Sequence, residues 1–392
     1  MTIVEPIRAM RLVQTAMRYH VRITTSYNPR DWQPRPDQAT VFQRADWLTP
    51  LYESLAENDP AVTPLFAEIS DDAGALAFRL ALLQRKVRGI RQIEFADLGM
   101  SDFNAPLLGP ASPLSAGAAK KAWAALTKAL PPHDLLRLTK MPPRMGGGAA
   151  GERPNPLLLG CGAMLSGANG NLLLMQGNWT DQHFGMPKAF RKELERSWRV
   201  FSREEGTAFI VVHDADDALK LLDRIEQAQR ARMAELGQPY RMEDPVTAGL
   251  YRRLMVMGAP SGFAYLTALT AGEEMVAALL GLRDGENYVM TRLVHAGDAW
   301  SKVSPGRLLI HKTMELLHAQ GYRRVDFSIG NYAYKRRFGP VRTPLYDIAA
   351  PGTFWGVPAA WRMRAGAALR RYPHARDTVR RLLGKPSLRE EN

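Results

Sequence analysis

Residues 302–312 read Lys-Val-Ser-Pro-Gly-Arg-Leu-Leu-Ile-His-Lys, and this junction decides how the chain is read. Pro305 suits the first turn of a helix, because the N–H it lacks would have no partner there. Gly306 has no side chain, so another group can approach the backbone closely. Ser304 is expected to cap the helix, while Lys302 and Arg307 add positive charge. Apolar periodicity then runs through Leu317 until Gly321 stops it. A helix that starts this way offers unpaired amides and the positive end of its dipole to an anion. A plain capped helix with a tight entrance would use the same residues.

The surroundings narrow the choice. Residues 263–268, 275–282 and 288–294 read as strands, the last two joined by a tight turn at Asp284-Gly285. After the helix come a strand over 324–329, a break at Gly330 and a short basic helix over 332–338. Strand, strand, strand, loop, helix, strand, helix makes a mixed α/β layer. Upstream, helices are expected over 46–55, 116–130, 188–205, 218–236 and 244–257. Strands are expected over 76–83, 93–95, 135–138, 157–159, 172–175 and 208–212. The Pro/Gly-rich stretch 141–154 reads as a loop, and the proline-punctuated first 40 residues as a leader or edge strand.

A chain of 392 residues suits two or three domains. At 46% hydrophobic and 23% charged residues it has the balance of a globular protein. Cys161 is the one cysteine, which excludes an internal disulfide framework and fits a reducing, cytoplasmic compartment. No secretory signal is expected, because the N-terminal residues hold no apolar run. The formal charge is 52 − 39 = +13, so acidic partners must be considered. Thirteen Lys/Arg against four Asp/Glu fall in residues 331–392, so a near-neutral body carries a basic end. In that end, Trp361, Ala365, Ala368 and Leu369 share a helical face with Arg362, Arg364, Arg370 and Arg371 around it. A second short basic segment covers 375–383. Such helices can rest on an anionic membrane surface. With no recognisable motif, nucleic acid is not expected. His183, His213, His311 and His318 lack metal-ligand spacing, and no metal is expected.

Residues 277–339 resemble the GNAT acyltransferase superfamily, and within it the CelD-type, BioF-like acetyltransferase domain akin to Fem-type aminoacyl transferases. The resemblance rests on Ser304-Pro305-Gly306-Arg307-Leu308-Leu309, on Asp326-Phe327 with Gly330, and on Tyr334-Lys335-Arg336-Arg337-Phe338-Gly339. It extends to Lys188-Ala189-Phe190-Arg191-Lys192 and to Ser101-Asp102-Phe103-Asn104-Ala105-Pro106-Leu107. It implies an α/β chain of two tandem GNAT-like domains, the first (41–180) degenerate and the second (181–350) a GNAT acyltransferase domain. A leader (1–40) precedes them and a basic amphipathic tail (351–392) follows.

The resemblance implies acyl-CoA as co-substrate, its phosphates at Lys302, Ser304, Gly306, Arg307 and Leu308 and its thioester along the strand ending at Val294. Here the family's phosphate-binding loop is degenerate, with Gly306 at its second glycine. Tyr334 stands where a GNAT tyrosine protonates the departing sulfur, and Lys335 matches a Fem-type lysine near the acceptor. Asp326, on an apolar strand, is costly to bury unpaired; it is a base acting through water or the partner of Lys335 or Arg307. His295 is a further candidate base. Asp102 and Asn104 are candidates for binding the acceptor, although an Asx-turn uses the same residues.

The expectation is therefore a cytoplasmic N-acyltransferase that acylates an amine or hydroxyl of a cell-envelope glycan or lipid precursor. The tail would touch the inner face of the membrane. The rival readings are a non-catalytic accessory protein of exopolysaccharide or cellulose biosynthesis and a tRNA-dependent Fem-like aminoacyl transferase.

Overall fold

A computed structural model describes residues 18–147, 151–295 and 298–370. Residues 1–17 of the expected leader and the basic segment 375–383 lie outside the described residues. The first half runs β1 (Tyr19–Thr24), α1 (Ala45–Asn58), β2 (Thr63–Asp71), β3 (Leu76–Val87), β4 (Ile90–Phe95), β5 (Leu107–Leu108), α2 (Ala116–Ala129), β6 (Leu135–Met141), β7 (Arg144–Gly146), β8 (Glu152–Pro154) and β9 (Met164–Leu174). The second runs α3 (Trp179–Gly185), α4 (Lys188–Phe201), β10 (Thr207–Val212), α5 (Ala215–Glu235), α6 (Pro245–Ser261), β11 (Ala264–Ala271), β12 (Glu274–Asp284), β13 (Asn287–His295), α7 (Pro305–Ala319), β14 (Arg324–Asp326), α8 (Ala333–Arg336), β15 (Val341–Pro351) and α9 (Val357–Arg370).

One sheet runs through both halves in the order β1-β2-β3-β4-β6-β15-β9-β14-β13-β12-β11-β10, with β5 beside β3. Each half repeats one plan. Four antiparallel strands (β1 to β4, β10 to β13) lead through a helix (α2, α7) to a strand parallel to the fourth. The next strand then crosses to the other half: β9 pairs with β14, and β15 pairs with β6. The two exchanged strands meet antiparallel at the centre. The tandem mixed α/β architecture is thus visible in the topology itself.

The halves differ at their parallel pair. β13 runs on to His295 after its last pairing with β14, Val289 opposite Asp326. β4 stops at Phe95, immediately after Glu94 faces Arg137 of β6. The first half therefore opens no long cleft between its parallel strands. In its place residues 96–106 form a loop that reaches toward the second half.

Helices cover both faces of the second half. α1, α5 and α6 pack on one face, where Trp47, Leu51, Leu222, Leu250 and Leu254 are buried. α4 and α7 cover the other through Phe190, Leu194, Phe201, Leu308 and Met314. Trp198 of α4 stays half-buried beneath the Lys312 amine, 4.3 Å from its ring centre. α6 joins the halves: Ser54 of α1 donates to the Val246 carbonyl at 2.8 Å. Its start and stop follow its sequence, with Asp244 capping, Pro245 in the first turn and Gly262 at φ 75° closing it.

Several expectations need correction. Residues 156–158 form a 3₁₀ turn, not a strand: Pro156 has no N–H to give, and the Asn155 side chain accepts from the Leu157 amide. The 141–154 stretch is partly the β7–β8 hairpin. β2 and β15 form where the sequence reading placed no element. α9 turns Ala360 and Ala367 inward and leaves Trp361 66% exposed, so the face with Trp361, Ala365 and Ala368 looks outward. Among the described residues no helix is long and apolar enough to cross a membrane.

Candidate active site

The site forms where β13 and β14 part. β13 carries an extra residue, Thr291, between Arg292 (opposite Leu280) and Met290 (opposite Gly281), and its hydroxyl donates to the Leu280 carbonyl at 2.9 Å. Such a bulge bends a strand and sharpens its twist. From Met290 to Val294, the edge of β13 that β14 has left shows no strand partner among the described residues, so main-chain groups there can face a ligand.

α7 begins beside this open edge. A Cβ placed on Gly306 would meet Leu293 and His295 side chains of β13 at 3.4 and 3.6 Å. The anion cradle is narrower than the sequence implies. Pro305 has no N–H, and the Arg307 and Leu308 amides donate back to the Ser304 carbonyl at 3.0 and 3.1 Å. Gly306 therefore carries the amide left for a ligand, and both Pro305 and Gly306 are themselves buried. Ser304 does not cap with its side chain as expected. It is left-handed at φ 48°, and its hydroxyl accepts from the Arg307 guanidinium.

Charge around this helix start is shared. Glu193 of α4 accepts from Arg307 at 2.6 Å and from Arg337 at 2.7 Å, leaving one positive charge in surplus. Lys302 is exposed and pairs with Glu204 at 3.3 Å. Leu308 and Val294 bury their side chains in the core, so only their main chain can face a donor. His295, exposed at the end of β13, stands at this end of the cleft beside Gly306.

A second cluster sits at the closed end of the cleft. Asp326 ends β14, and the chain turns through Ser328, left-handed at φ 66°. A non-glycine residue in that region is strained and must be held by its neighbours. Asn171 of β9 holds it, donating to the Ser328 and Gly330 carbonyls at 2.7 and 2.9 Å. The Ser328 hydroxyl donates to Asp102, delivered by the 96–106 loop of the other half. Lys335 of α8 is buried and donates to the Ile329 carbonyl at 2.6 Å. Asp102, Asp326 and Lys335 thus come together, and Ser328 and Asn171 join them without having been singled out in the sequence. The one signal that could have found Ser328 was its place two residues beyond Asp326, at the break before Gly330.

The electrostatics follow from burial. Asp326 is raised to about 6, chiefly because it is removed from water; amide donation from Ser328 and Asn171 opposes this, Asp102 adds to it, and Lys335 opposes it. Burial likewise raises Asp102, against the Ser328 hydrogen bond and the charges of Lys140 and Lys335. Lys335 is lowered by burial, against the pull of Asp102 and Asp326. Asn104 has a different task from the one expected. It is buried, and its amide donates to Asp97 at 2.6 Å and to the Thr139 carbonyl at 3.1 Å, anchoring the loop that presents Asp102. Lys140 completes that anchor by pairing with Asp97 at 2.7 Å.

Tyr334 lies half-buried on the α4–α7 side of α8, stacked on Tyr332 with centroids 6.0 Å apart. Burial pushes its phenol up to about 12, so it keeps its proton at neutral pH. His183 and His311, far apart in sequence, meet at 3.2 Å, and burial pushes His311 down to about 4.

A sequence profile described as an acetyltransferase (GNAT) domain matches residues 188–336. No curated protein matches the chain significantly. Among solved structures, FemX is similar over 83% of this chain and 96% of its own, with 9% identity and a TM-score of 0.55. The C-terminal domain (DUF2156) of a putative lysylphosphatidylglycerol synthetase from Agrobacterium fabrum is matched over 85% and 93%, at 13% identity and a TM-score of 0.47. For a tandem GNAT protein from the clavulanic acid biosynthesis pathway the shares are 78% and 88%, the identity 15% and the TM-score 0.40. At such identities the likeness is one of fold. The profile spans the parted β13–β14 pair, α7 and the Tyr334-Lys335 segment: residues 188–336 match the acetyltransferase (GNAT) domain, and the chain shares its fold with FemX.

Proposed function

We propose that the chain is an acyl-CoA-dependent N-acyltransferase whose acceptor is an amine or hydroxyl of a cell-envelope glycan or lipid precursor. One observation carries the reading. The residues at which β13 and β14 part also present Asp326 and Ser328, and the opposite half delivers Asp102 to the same spot. In this reading the 181–350 half holds the donor and the 41–180 half furnishes the acceptor side.

The donor thioester lies along the free edge of β13, whose main-chain N–H groups stabilise the oxyanion. Its phosphates meet the Gly306 amide and the surplus charge of Arg307 and Arg337. An acceptor that arrives as an ammonium first loses a proton to solvent; as the neutral nitrogen then bonds to the thioester carbon, it gives a second proton to the Asp326 carboxylate. The carbon–sulfur bond breaks, and Tyr334 gives its phenolic proton to the departing thiolate. Solvent then restores both groups. Burial lowers Lys335 while Asp102 and Asp326 favour its ammonium form, and that ammonium in turn favours their ionised carboxylates.

Thermal unfolding with acetyl-CoA and longer acyl-CoAs tests the donor. A ligand that binds only the native state stabilises it by about 2.7 kcal/mol at a hundred times its Kd. No shift anywhere in the series contradicts the proposal and favours the non-catalytic accessory reading.

Contact with the inner face of an anionic membrane belongs to the same reading. Phe354, Trp355 and Trp361 are exposed at and just before α9, with Arg362 exposed beside them, a pairing suited to lipid headgroups. Co-sedimentation with anionic but not zwitterionic vesicles is expected, and equal recovery from both contradicts it.

A further inference from the structure

A cavity of about 300 Å³ lies against the centre of the sheet, at the closed end of the β13–β14 cleft. Leu172 of β9, Asp326 of β14, Asn287 and Val289 of β13 and Thr343 and Pro344 of β15 line it from the sheet. Residues from the first half face them, chiefly Ala39, Val41, Phe103, Pro142 and Met145. Most of the wall is apolar, and the volume sits at the lower end of the roughly 300–1,000 Å³ typical of ligand pockets.

The charged groups in the wall other than Asp326 share partners: Arg44 is divided between Asp284 and Asp46, and Glu152 between Arg144 and Arg324, so their surpluses of one negative and one positive charge offset each other. Asp284 is paired with Arg44 at 2.9 Å. Arg324 donates to Asn287 at 2.9 Å and lies 3.7 Å from Glu152, which also accepts from Arg144 at 3.0 Å. Asp326 remains. Within its cluster the carboxylates of Asp97, Asp102 and Asp326 face the two ammonium groups of Lys140 and Lys335, leaving one negative charge in surplus. A cation at Asp326 would balance that cluster, and an apolar body behind it would fill the cavity.

We infer that this cavity selects the acceptor: a primary amine carried on a compact apolar body, its ammonium at Asp326 and its hydrocarbon part between Val41, Phe103, Leu172 and Val289. The inference deepens the acyl-transfer reading by naming the acceptor class, and it rests on that reading for turnover but not for binding.

Calorimetric titration of the full chain with a series of n-alkylamines, and with n-alkanols of equal length, tests it. Affinity for the amines is expected to rise about fourfold per methylene, equivalent to about 0.8 kcal/mol each, until the cavity is full. Each alkanol should bind at least tenfold more weakly than its amine. Asp326→Asn should remove the preference for amine over alkanol and keep the chain-length dependence. Leu172→Trp, which fills the cavity from its floor, should abolish the chain-length gain; Pro344→Trp, at the rim, provides a second route should the first variant not fold. Affinity indifferent to chain length, or equal for amine and alkanol, overturns the inference. Thiol release from acyl-CoA, measured with the same amines and with glucosamine, separates the two readings. Alkylamines that bind by this pattern without release leave the site standing and remove the transferase. Glucosamine acylated while alkylamines neither bind nor react leaves the transferase standing and removes the site.

Discussion

In the proposed reading, Asp326 carries function against stability. Its carboxyl is raised from 3.8 to about 6 in the folded chain, with burial the leading cause. Between those values the native state binds the extra proton, so stability falls as pH rises through the window and the full loss is present above about 6. A shift of that size corresponds to roughly 3 kcal/mol. Asp326→Asn is therefore expected to raise the thermal midpoint by a few degrees at pH 7.5 and to give only a small part of that gain at pH 4. A variant less stable than the parent at pH 7.5 would show that the carboxylate is held by stronger partners than those seen. The activity should follow the same group in the opposite sense, falling as pH drops below about 6. Tyr334→Phe should lower turnover of acyl-CoA about 10- to 100-fold, with a smaller loss for an aryl thioester, whose thiolate leaves without a proton. An equal loss for both donors would make Tyr334 a packing residue. Asp102, Asp326 and Lys335 were legible in the sequence because each stood out against its surroundings or matched a family segment. Ser328 and Asn171 were not, since a serine and an asparagine in loop-like stretches carry no signal until the chain folds them onto a carboxylate.

At the scale of the element, the proposed reading has α7 and β13 place the donor. Gly306 has ordinary contact distances around its missing Cβ, so a side chain there should cost little stability while intruding on the one amide left open. Gly306→Glu is expected to raise KM for acyl-CoA at least tenfold while leaving KM for an N-acetylcysteamine thioester, which lacks the phosphates, within twofold. Equal losses for both donors would place the phosphates elsewhere. The helices were legible from their apolar period, and most clearly where start and stop signals agreed with it, as at Pro305 and Gly321 around α7. β15 was not. Its sequence, Val-Arg-Thr-Pro-Leu-Tyr-Asp-Ile-Ala-Ala-Pro, holds two prolines and no steady alternation, and the partners that make it a strand lie some 200 residues earlier in the chain.

The whole molecule is tied together by the exchange of β9 and β15. Each half completes its sheet with a strand from the other, and α1 packs on α6 across the same divide. Neither half can open without breaking the hydrogen-bond ladder of its neighbour. Calorimetry should show one transition with equal calorimetric and van't Hoff enthalpies; two separated transitions would mean that the halves fold independently. The exchange also explains why the 96–106 loop reaches Asp326 so closely, for the central strands bring both halves against one cleft. The most direct measurement is of thiol release from acyl-CoA at pH 7.5 with a panel of primary amines, with the acylated product identified by mass, for the parent chain and Asp326→Asn. The account predicts amine-dependent release and an acylated amine, with a rate at least about 100-fold lower in the variant while donor binding is retained. No amine-dependent release from the parent, or equal rates from the two proteins, would contradict it.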